Sequence, residues 1–517
     1  MGDVRVDGMT DQSQDWGPFG RPLFDDPAAR ALSRVGVIDV GSNSVRLVVF
    51  DGAARSPAYF YNEKVMCGLG RDMGETGHLH PEGRARALAA IKRFVRLAKG
   101  MNIPPLTAVA TAAVRNASDG QEFQEEVARE TGLNIYVIDG EEEARLSAQG
   151  VLLGWPTASG LVCDIGGSSM ELAVVKDGEV GTCATSELGP LRLKTLKGGR
   201  AARRAEIDAT LEKLIEKIGP SKRLYLVGGS WRAIAKLNMT RVEYPLGVLH
   251  DYRMAPRSVR ATLDWMKSYK LDEIRQPARL SSDRIALVPV AGEVLRRLMV
   301  QLGVQEIFVS SYGIREGMLF EQMPDRLRRR DPLIEACRFD EAQNARLPGF
   351  GRTMYDFIEP LFRSSRTQKK LIKAACLLHD VSWRAHPDYR AEICFDKATR
   401  GNLGGVDHKG RVFLGLALLH RYRNARQGNR IEPLLGLLSE RARKEAEVLG
   451  KAMRFGAMFS VAAPDLMGSL RYRPKRRELE LRLSPAAADL FGEVAAARFD
   501  SLVSALDVEK IVKYRKV

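Results

Sequence analysis

The amino-acid sequence predicts an α/β fold of two similar halves, followed by a mostly α-helical region. Short β-branched runs alternate with amphipathic helical windows from Val35 onward. The strand–turn–strand pattern returns from Leu161, and strand-like runs nearly vanish after the charged junction at 325–332. The predicted divisions are an N-terminal arm without periodicity (1–33), two α/β halves (34–150 and 151–328), a helical domain (329–445) and a small C-terminal subdomain (446–517).

In the first half, VGVIDV and RLVVFD flank a Gly/Ser/Asn turn, which predicts a β-hairpin, and YFYNEKVM predicts a third strand. A helix is predicted from Pro81 to Lys99, because apolar residues recur at spacings of three and four. The other predicted elements are the strand LTAVAT, a helix that Ser118 caps and Glu130 ends, the strand NIYVID and a helix from Glu141 to Leu153.

The second half repeats this order. LVCDIGG and MELAVV predict another hairpin, and GTCATSEL predicts its third strand. A helix over 206–218, the strand LYLVGG, a helix from Ser230, the strand EIFVSS and a helix from Ile314 follow. Beyond the junction, only ELELRL (478–483) predicts a strand.

Composition excludes several classes of protein. With 45% hydrophobic and 28% charged residues among 517, the chain is typical of globular proteins and is neither disordered nor fibrous. The longest strongly apolar run, 412–419, is too short to span a bilayer, and the polar N-terminus does not resemble a secretory signal. The six cysteines form no C-x-x-C pair, which predicts reduced thiols and a cytoplasmic location.

The strongest internal signal is a duplicated loop. Glycines let a turn bring its N–H groups close to an anion, and Ser and Asn side chains add donors. One such loop alone also fits a plain hairpin turn, but two in equivalent positions favour phosphate binding. The repeated segments are Asp39-Val-Gly41-Ser42-Asn43-Ser44 and Asp164-Ile-Gly166-Gly167-Ser168-Ser169.

This arrangement resembles the actin, sugar-kinase and Hsp70 superfamily, in which two ribonuclease-H-like domains form a phosphate-binding cleft. LVGGS (226–230) is similar to the superfamily's further Gly-rich turn, although a tight turn with a Ser cap is an equal alternative. Over about 38–320, the chain resembles the exopolyphosphatase / guanosine pentaphosphate phosphatase family. The motifs that carry this resemblance are IDVGSNSVRLVVFD (38–51), ATAAVRNA (110–117), GEEEARLSAQGV (140–151), CDIGGSSMEL (163–172), YLVGGSWRAIA (225–235), YPLGVLHDY (244–252) and VSSYGIREG (309–317).

The resemblance implies roles for individual residues. Glu143 matches the family's catalytic base, and Arg115 matches an arginine that binds the phosphate. Asp164 and Glu171 match carboxylates that hold a divalent metal, normally Mg²⁺. Ser168 departs from the pattern, since many members have a third glycine there. The implied phosphate loops consist of Gly41, Ser42, Asn43 and Ser44, and of Gly166, Gly167, Ser168 and Ser169.

The same residues also suit the chemistry of phosphoanhydride hydrolysis, which needs charge neutralisation, an oriented water and a site for the terminal phosphoryl group. Hard carboxylate oxygens suit Mg²⁺. Neighbouring Glu141 and Glu142 are predicted to raise the pKa of Glu143, as a general base requires. Without the resemblance, the first interpretation of Glu143 is a surface acid that complements the helix dipole, and the alternative for Arg115 is a surface arginine. The role of Asp39 stays open between water-mediated metal binding and capping of the hairpin.

Charge favours a polyanionic partner. The chain carries 80 basic and 64 acidic residues, a net of +16, and residues 331–517 hold 34 and 23 of them, a net of +11. Each basic cluster in this third is either a solvated helix face or part of a shared surface that guides polyphosphate. The clusters are Arg363, Arg366, Lys369, Lys370 and Lys373; Arg421, Arg423, Arg426 and Arg430; and Arg471, Arg473, Lys475, Arg476 and Arg477.

LIKAACLLHDVSW (371–383) resembles the HD-type helical domain of long exopolyphosphatases. No histidine lies between His250 and His379, so a complete H…HD…D metal set is missing, and we interpret the region as a degenerate, HD-like fold. A lone histidine on an apolar helix usually packs in the core.

The leading functional hypothesis is therefore a Mg²⁺-assisted exopolyphosphatase that removes terminal orthophosphate from inorganic polyphosphate. A guanosine pentaphosphate 5′-phosphatase would use the same site residues. Two further alternatives are an ATP-dependent kinase of the superfamily and a nucleic-acid-binding protein. The second is weakened, because the sequence has no recognisable motif for binding RNA or DNA and no regularly spaced aromatic residues among the basic ones. We expect no specific nucleic-acid partner and no membrane partner. The oligomeric state stays open, with a homodimer as one alternative.

Overall fold

A computed structural model describes residues 34–51, 55–103, 106–362, 366–424, 430–460 and 463–514. The predicted N-terminal arm lies outside these residues. The predicted fold class is confirmed: a mixed α/β region precedes a helical one. Within the described ranges, no helix is both long and apolar enough to cross a membrane. All six cysteines are free thiols, and only Cys183 is not fully buried.

The first half is one mixed sheet with helices. In chain order its elements are β1 (Val35–Val40), β2 (Ser44–Phe50), β3 (Tyr59–Met66), α1 (Met73–Thr76), α2 (Pro81–Gly100), β4 (Thr107–Ala110), α3 (Ala112–Asn116), α4 (Gly120–Thr131), β5 (Ile135–Val137) and α5 (Gly140–Gly154). The strand order is β3-β2-β1-β4-β5, with β1 antiparallel to β2 and parallel to β4. The predicted Ser118 cap is wrong: Asp119 occupies the N-cap position of α4, and the Ser118 hydroxyl donates to the Gly77 carbonyl at 3.0 Å.

The second half repeats this topology. Its elements are β6 (Gly160–Ile165), β7 (Met170–Lys176), β8 (Glu179–Ser186), α6 (Pro190–Thr195), α7 (Gly199–Ile218), β9 (Arg223–Val227), α8 (Gly229–Arg241), β10 (Tyr252–Met254), α9 (Pro256–Trp265), α10 (Leu271–Arg275), α11 (Ser282–Ile285), α12 (Val288–Gln301), β11 (Glu306–Val309), α13 (Ile314–Glu321) and α14 (Asp325–Arg328). The order β8-β7-β6-β9-β11 matches that of the first sheet, and β10 adds an edge strand. The predicted internal repeat is therefore present in the fold.

Two helices join the halves at close range. Helix α5 packs against α13 and against the strands of the second sheet, while α13 reaches β1 of the first. A Cβ on Gly317 would lie 1.8 Å from the Leu146 carbonyl O, and one on Gly150 would lie 2.2 Å from the Gly313 carbonyl O. Only glycine therefore permits this crossing. The boundary predicted between residues 150 and 151 falls inside α5.

The C-terminal region is mostly helical around one large core. Its elements are α15 (Pro332–Asn344), α16 (Phe350–Ile358), α17 (Arg366–Leu378), α18 (Arg390–Arg400), α19 (His408–Tyr422), α20 (Glu432–Leu435), α21 (Glu440–Phe459), α22 (Pro464–Met467), β12 (Gly468–Arg473), β13 (Glu478–Leu483), α23 (Glu493–Leu506) and β14 (Glu509–Tyr514). Strand β13 is the predicted ELELRL. Its neighbours β12 and β14 were not predicted, because charged residues interrupt their apolar pattern. The boundary predicted between residues 445 and 446 falls inside α21.

Candidate active site

The first hairpin loop leaves two backbone N–H groups free for an anion. The Gly41 N–H donates to the Ser44 carbonyl O at 3.0 Å, which closes the turn. The Ser42 carbonyl O accepts from the Gly70 N–H at 2.8 Å, so the next loop anchors the turn. Within the described residues, the N–H groups of Ser42 and Asn43 donate to no acceptor. Two successive free N–H groups in a turn form an anion-binding concavity.

The second loop has the same hydrogen bonds in the same places. The Gly166 N–H donates to the Ser169 carbonyl O at 3.0 Å, and the Gly167 carbonyl O accepts from the Leu191 N–H at 2.8 Å. The N–H groups of Gly167 and Ser168 are free in the described part of the chain. The two predicted phosphate loops therefore share one backbone geometry. Ser168 does not have a positive φ, so serine in place of the usual glycine adds no backbone strain.

A glycine packs closely against each phosphate loop. A Cβ on Gly189 would lie 2.1 Å from the Ser168 carbonyl carbon, a distance at which the backbone must move. A Cβ on Gly70 would lie 3.2 Å from the Ser42 Cβ, which is a milder crowding. The position of the second loop therefore depends strictly on glycine at 189.

The predicted metal carboxylates face each other across the second hairpin. Asp164 on β6 and Glu171 on β7 are direct cross-strand partners, so both side chains lie on one face of the sheet. In the first hairpin the equivalent pair is Asp39 and Arg46, on β1 and β2. The Ser147 hydroxyl of α5 donates to Asp164 Oδ2. The carboxylate of Asp39 accepts no hydrogen bond within the described residues, so it does not cap the hairpin.

Glu143 enters the site from the first turn of α5. The helix is capped by Asp139, whose carboxylate accepts from the Glu142 N–H at 2.8 Å. Nη1 of Arg115 lies 3.6 Å from Oε2 of Glu143, an ion pair too long for a hydrogen bond. The same Nη1 donates to the Ile138 carbonyl O at 2.7 Å, which fixes the guanidinium.

Burial and mutual repulsion perturb this group of carboxylates. The pKa of Glu143 is raised to about 8, mainly by burial and next by the nearby charge of Asp164. Burial also raises the pKa of Glu171 well above its usual range, with Glu143 and Asp164 adding to the effect. The pKa values of Asp39 and Asp164 are raised mainly by burial. The charge of Asp39 adds to the raised pKa of Asp164 and of Glu143, so the first hairpin lies close to the carboxylates of the second half.

The predicted cause of the Glu143 shift is wrong. Glu142 pairs with Arg145 at 2.7 Å, and Glu141 pairs with Lys217, so both charges are directed away. The pKa of Glu143 is raised by burial and by Asp164, a neighbour in space and not in sequence.

A divalent cation fits this site if carboxylate oxygens are available to bind it. Oε2 of Glu143 and Oε2 of Glu171 are buried and accept no hydrogen bond in the described residues. Among those residues, no three His, Cys, Asp or Glu side chains form a ready-made metal cage. Mg²⁺ commonly takes one or two carboxylates and completes its shell with water and phosphate oxygens. Asp164 and Glu171 therefore fit Mg²⁺ that is shared with a phosphate.

Five cations that the sequence analysis did not single out lie in this region: Arg46, Lys64, Arg232, Arg284 and Arg315. Four of them act on Asp39 or Asp164, and Arg284 lies near Lys64. Burial lowers the pKa of Arg46 and of Arg232, and in both cases Arg315 is the next cause. Burial likewise lowers the pKa of Lys64, followed by the charges of Arg284 and Arg46. None of the five pairs with a carboxylate within 4.0 Å in the described residues. They suit the negative charge of further phosphate groups.

The further Gly-rich turn lies at the same site. Gly228 has a φ of 105°, and a Cβ there would lie 2.5 Å from the Ile165 carbonyl O and 2.9 Å from Asp164 Oδ1. Only glycine lets the end of β9 come this close to the carboxylate.

The predicted basic surface of the C-terminal third is wrong in its central cluster. Arg421 is only 6% exposed, and Arg423 pairs with Glu392 at 3.0 Å, while Arg426 lies outside the described residues. Arg363, of another cluster, lies outside them as well. In the other clusters, several cations are matched by acids: Lys369 with Glu359, Lys370 with Asp331, Arg473 with Glu478 and Arg477 with Asp507.

The His379–Asp380 pair serves packing. His379 is buried, and its Nδ1 hydrogen-bonds the Cys376 carbonyl O at 2.9 Å. Both carboxylate oxygens of Asp380 accept from Arg346, at 2.7 and 2.6 Å.

Comparison with protein-family models identifies the family of the chain. The Ppx/GppA phosphatase family model matches residues 48–326, more than half of the chain. The chain belongs to the Ppx/GppA phosphatase family. The model of the exopolyphosphatase C-terminal region matches residues 361–511, which include most of the helical part.

Among the individual relatives of this Ppx/GppA phosphatase, some are named as exopolyphosphatases and another is named for a guanosine substrate. Exopolyphosphatase 1 of Mycobacterium tuberculosis H37Rv is 24% identical over 304 residues, covering 56% of this chain and 88% of that one. A guanosine-5′-triphosphate,3′-diphosphate pyrophosphatase of Aeromonas hydrophila is 24% identical over 383 residues, covering 69% and 75%. The crystal structure of an exopolyphosphatase from Cytophaga hutchinsonii matches with a TM-score of 0.51 and 25% identity, over 56% of this chain and 99% of that one.

Proposed function

We propose that the protein is an exopolyphosphatase that hydrolyses the terminal phosphoanhydride bond of inorganic polyphosphate and releases orthophosphate. The observation that carries this proposal is the pair of facing loops, each with two free N–H groups, beside a buried Glu143. The match of residues 361–511 to an exopolyphosphatase C-terminal region supports the choice of substrate. Five unpaired cations beside the site suit a chain of phosphates better than a single one.

In this mechanism, the terminal phosphoryl group binds between the N–H groups of the two loops. Glu143 takes a proton from a water molecule, whose oxygen attacks the terminal phosphorus in line. The bond from phosphorus to the bridging oxygen breaks, and its electron pair leaves with the shortened chain. Arg115 stabilises negative charge on the phosphoryl oxygens.

Asp164 and Glu171 would hold Mg²⁺ together with substrate oxygens. When bound, the ion supplies positive charge against the phosphates and against the repulsion among the carboxylates. The hydroxyl of Ser147 orients Asp164, and the hydroxyl of Thr185 donates to Glu171 Oε1 at 3.4 Å.

The raised pKa of Glu143 predicts a pH-dependent stability in metal-free protein. The usual pKa is 4.5 and the folded value is about 8, so the folded chain retains a proton that the unfolded chain loses. This contribution to stability is complete below pH 4.5 and is lost as the pH rises to about 8. With EDTA present, the Tm of Glu143→Gln minus that of the wild type should therefore be larger at pH 8.5 than at pH 5. A difference that does not change with pH, or that Glu142→Gln reproduces, would count against a raised pKa at Glu143.

A guanosine pentaphosphate 5′-phosphatase is the second candidate, because the Aeromonas relative is named for a guanosine substrate. Initial rates of orthophosphate release from the two substrates separate the candidates. We expect kcat/KM for polyphosphate to be higher by at least about tenfold, a difference of roughly 1.4 kcal/mol in transition-state binding. A preference for guanosine pentaphosphate would assign the second function, and no release from either would refute both.

A further inference from the structure

Three packed helices of the C-terminal region each carry an arginine near the place where they cross. Arg421 is on the last turn of α19, Arg454 is on α21 and Arg498 is on α23. Helices α19 and α21 cross where Gly450 faces His420, since a Cβ on Gly450 would lie 2.4 Å from the His420 Cβ. Helices α21 and α23 meet where the rings of Phe455 and Phe499 stand 5.1 Å apart. Arg454 and Arg498 directly precede these two rings.

Some hydrogen-bond donors of this arginine triad have no acceptor in the described residues. Nε of Arg421 and Nε of Arg498 are buried and lack a hydrogen-bond partner in the described residues. Arg454 donates from Nη1 to the Asn424 Oδ1 at 2.8 Å, which holds it against the end of α19. A buried guanidinium donor without an acceptor is costly, so these groups call for an acceptor.

The charge of Asp380 acts on Arg421, but no carboxylate binds the triad directly in the described part of the chain. Across the described ranges, none of Arg421, Arg454 and Arg498 forms an ion pair within 4.0 Å. The nearby carboxylate of Asp380 has both oxygens bound to Arg346. His379 adds no compensating negative charge. The pKa of Arg454 is lowered to about 10, mainly by burial and next by the charges of Arg498 and Arg421.

We propose that the arginine triad is an anion site that takes a phosphate group, either as free orthophosphate or as one unit of a polyphosphate chain. An anion there supplies the missing acceptors and offsets the repulsion that Arg421 and Arg498 exert on Arg454. Arginine suits this ligand, because its planar fork binds two phosphate oxygens at once. The site is separate from the catalytic cleft, since α19, α21 and α23 contribute none of the cleft residues described above.

Orthophosphate binding to the full chain in EDTA tests the proposal without any hydrolysis. The variants are Arg454→Gln and Arg498→Gln, and Arg441→Gln is the matched control, an 85% exposed arginine of α21 paired with Glu445. By isothermal titration, the two triad variants should lose one class of orthophosphate site or bind there at least about tenfold more weakly. The control should bind as the wild type does. If both triad variants bound orthophosphate as the wild type does, the proposal that the triad binds free orthophosphate would be wrong.

A second measurement separates ligand binding from a merely structural role. In phosphate-free, low-salt buffer, Arg454→Gln removes one of three repelling charges, so its Tm should equal or exceed that of the wild type. Added orthophosphate should then raise the Tm of the wild type more than that of the variant. A variant with a lower Tm in both buffers and an unchanged response to phosphate would show a structural arginine instead.

The same titration with polyphosphate distinguishes the two sources of the ligand. It is done in the Glu143→Gln background with EDTA, so that the chain stays intact. Weaker binding of both ligands in Arg454→Gln identifies a general phosphate site, and weaker binding of polyphosphate alone identifies a chain site. Unchanged binding of both ligands would refute the proposal. Because binding alone is measured, a failure of the proposed catalytic function would leave this result interpretable.

Discussion

Replacing Glu143 with glutamine should lower the rate of orthophosphate release by about 10²–10⁴-fold, the usual contribution of a general base. The glutamine keeps the shape of the side chain but takes no proton from water. It also removes one of the mutually repelling carboxylates, so binding of polyphosphate should be retained or become tighter. The measurement is kcat from initial rates, with the substrate Kd determined separately.

Glu142→Gln is the matched control for this change. Glu142 is the preceding residue in the same helical turn, but it pairs with Arg145 outside the carboxylate group. A partly exposed ion pair contributes about 0–1 kcal/mol, so kcat should stay within about fivefold of the wild type. If the two variants lost activity equally, the assignment of Glu143 as the base would be wrong.

Replacing Gly189 with alanine should lower kcat/KM by about 100-fold, although Gly189 has no reactive group. Its Cβ would lie 2.1 Å from the Ser168 carbonyl carbon, so the second phosphate loop must shift. A misplacement of about 1 Å at a reacting site costs on the order of 100-fold in rate. Because the first loop is unaffected, the fold should persist, and circular dichroism and the Tm report on this.

Gly247→Ala is the control for Gly189→Ala. A Cβ on Gly247 meets no atom within 4 Å, and the residue lies in the same half of the molecule. Its activity should equal that of the wild type. If Gly189→Ala were fully active, the second loop would not depend on this contact, and its role in holding the phosphoryl group would be refuted.

The sequence was informative where the site is built from local repeats. Each phosphate loop is a contiguous turn between two strands, so its residues are adjacent in the chain and their spacing predicts their geometry. The cross-strand partners Asp164 and Glu171 follow from the same hairpin, since residues that flank a turn symmetrically face each other. Strands of the first sheet were predicted for the same reason, from alternating β-branched runs.

The sequence was uninformative where distant elements meet. The cations Arg46, Lys64, Arg232, Arg284 and Arg315 come from five elements of both halves, and no local pattern brings them together. The cause of the Glu143 pKa shift was also misjudged, because Asp164 is near in space while Glu141 and Glu142 are near only in sequence.

The basic clusters of the C-terminal third were misread for a related reason. Adjacent arginines in the sequence were treated as one surface, yet Arg421 belongs to α19, which is buried from Gly410 to Arg421. A helix that is apolar all round lies inside a protein, and VFLGLALL within α19 carried that signal. The neighbouring Arg423, just past the helix, reaches Glu392 instead.

The most direct test of the central claim is hydrolysis of long-chain polyphosphate in H₂¹⁸O with Mg²⁺, analysed over a single turnover by mass spectrometry. In-line attack of water on the terminal phosphorus predicts orthophosphate with one ¹⁸O atom and an unlabelled chain that is one unit shorter. Glu143→Gln should form this labelled orthophosphate about 10²–10⁴-fold more slowly. Label in chains cut at internal positions, or labelled orthophosphate at the wild-type rate from Glu143→Gln, would contradict the account.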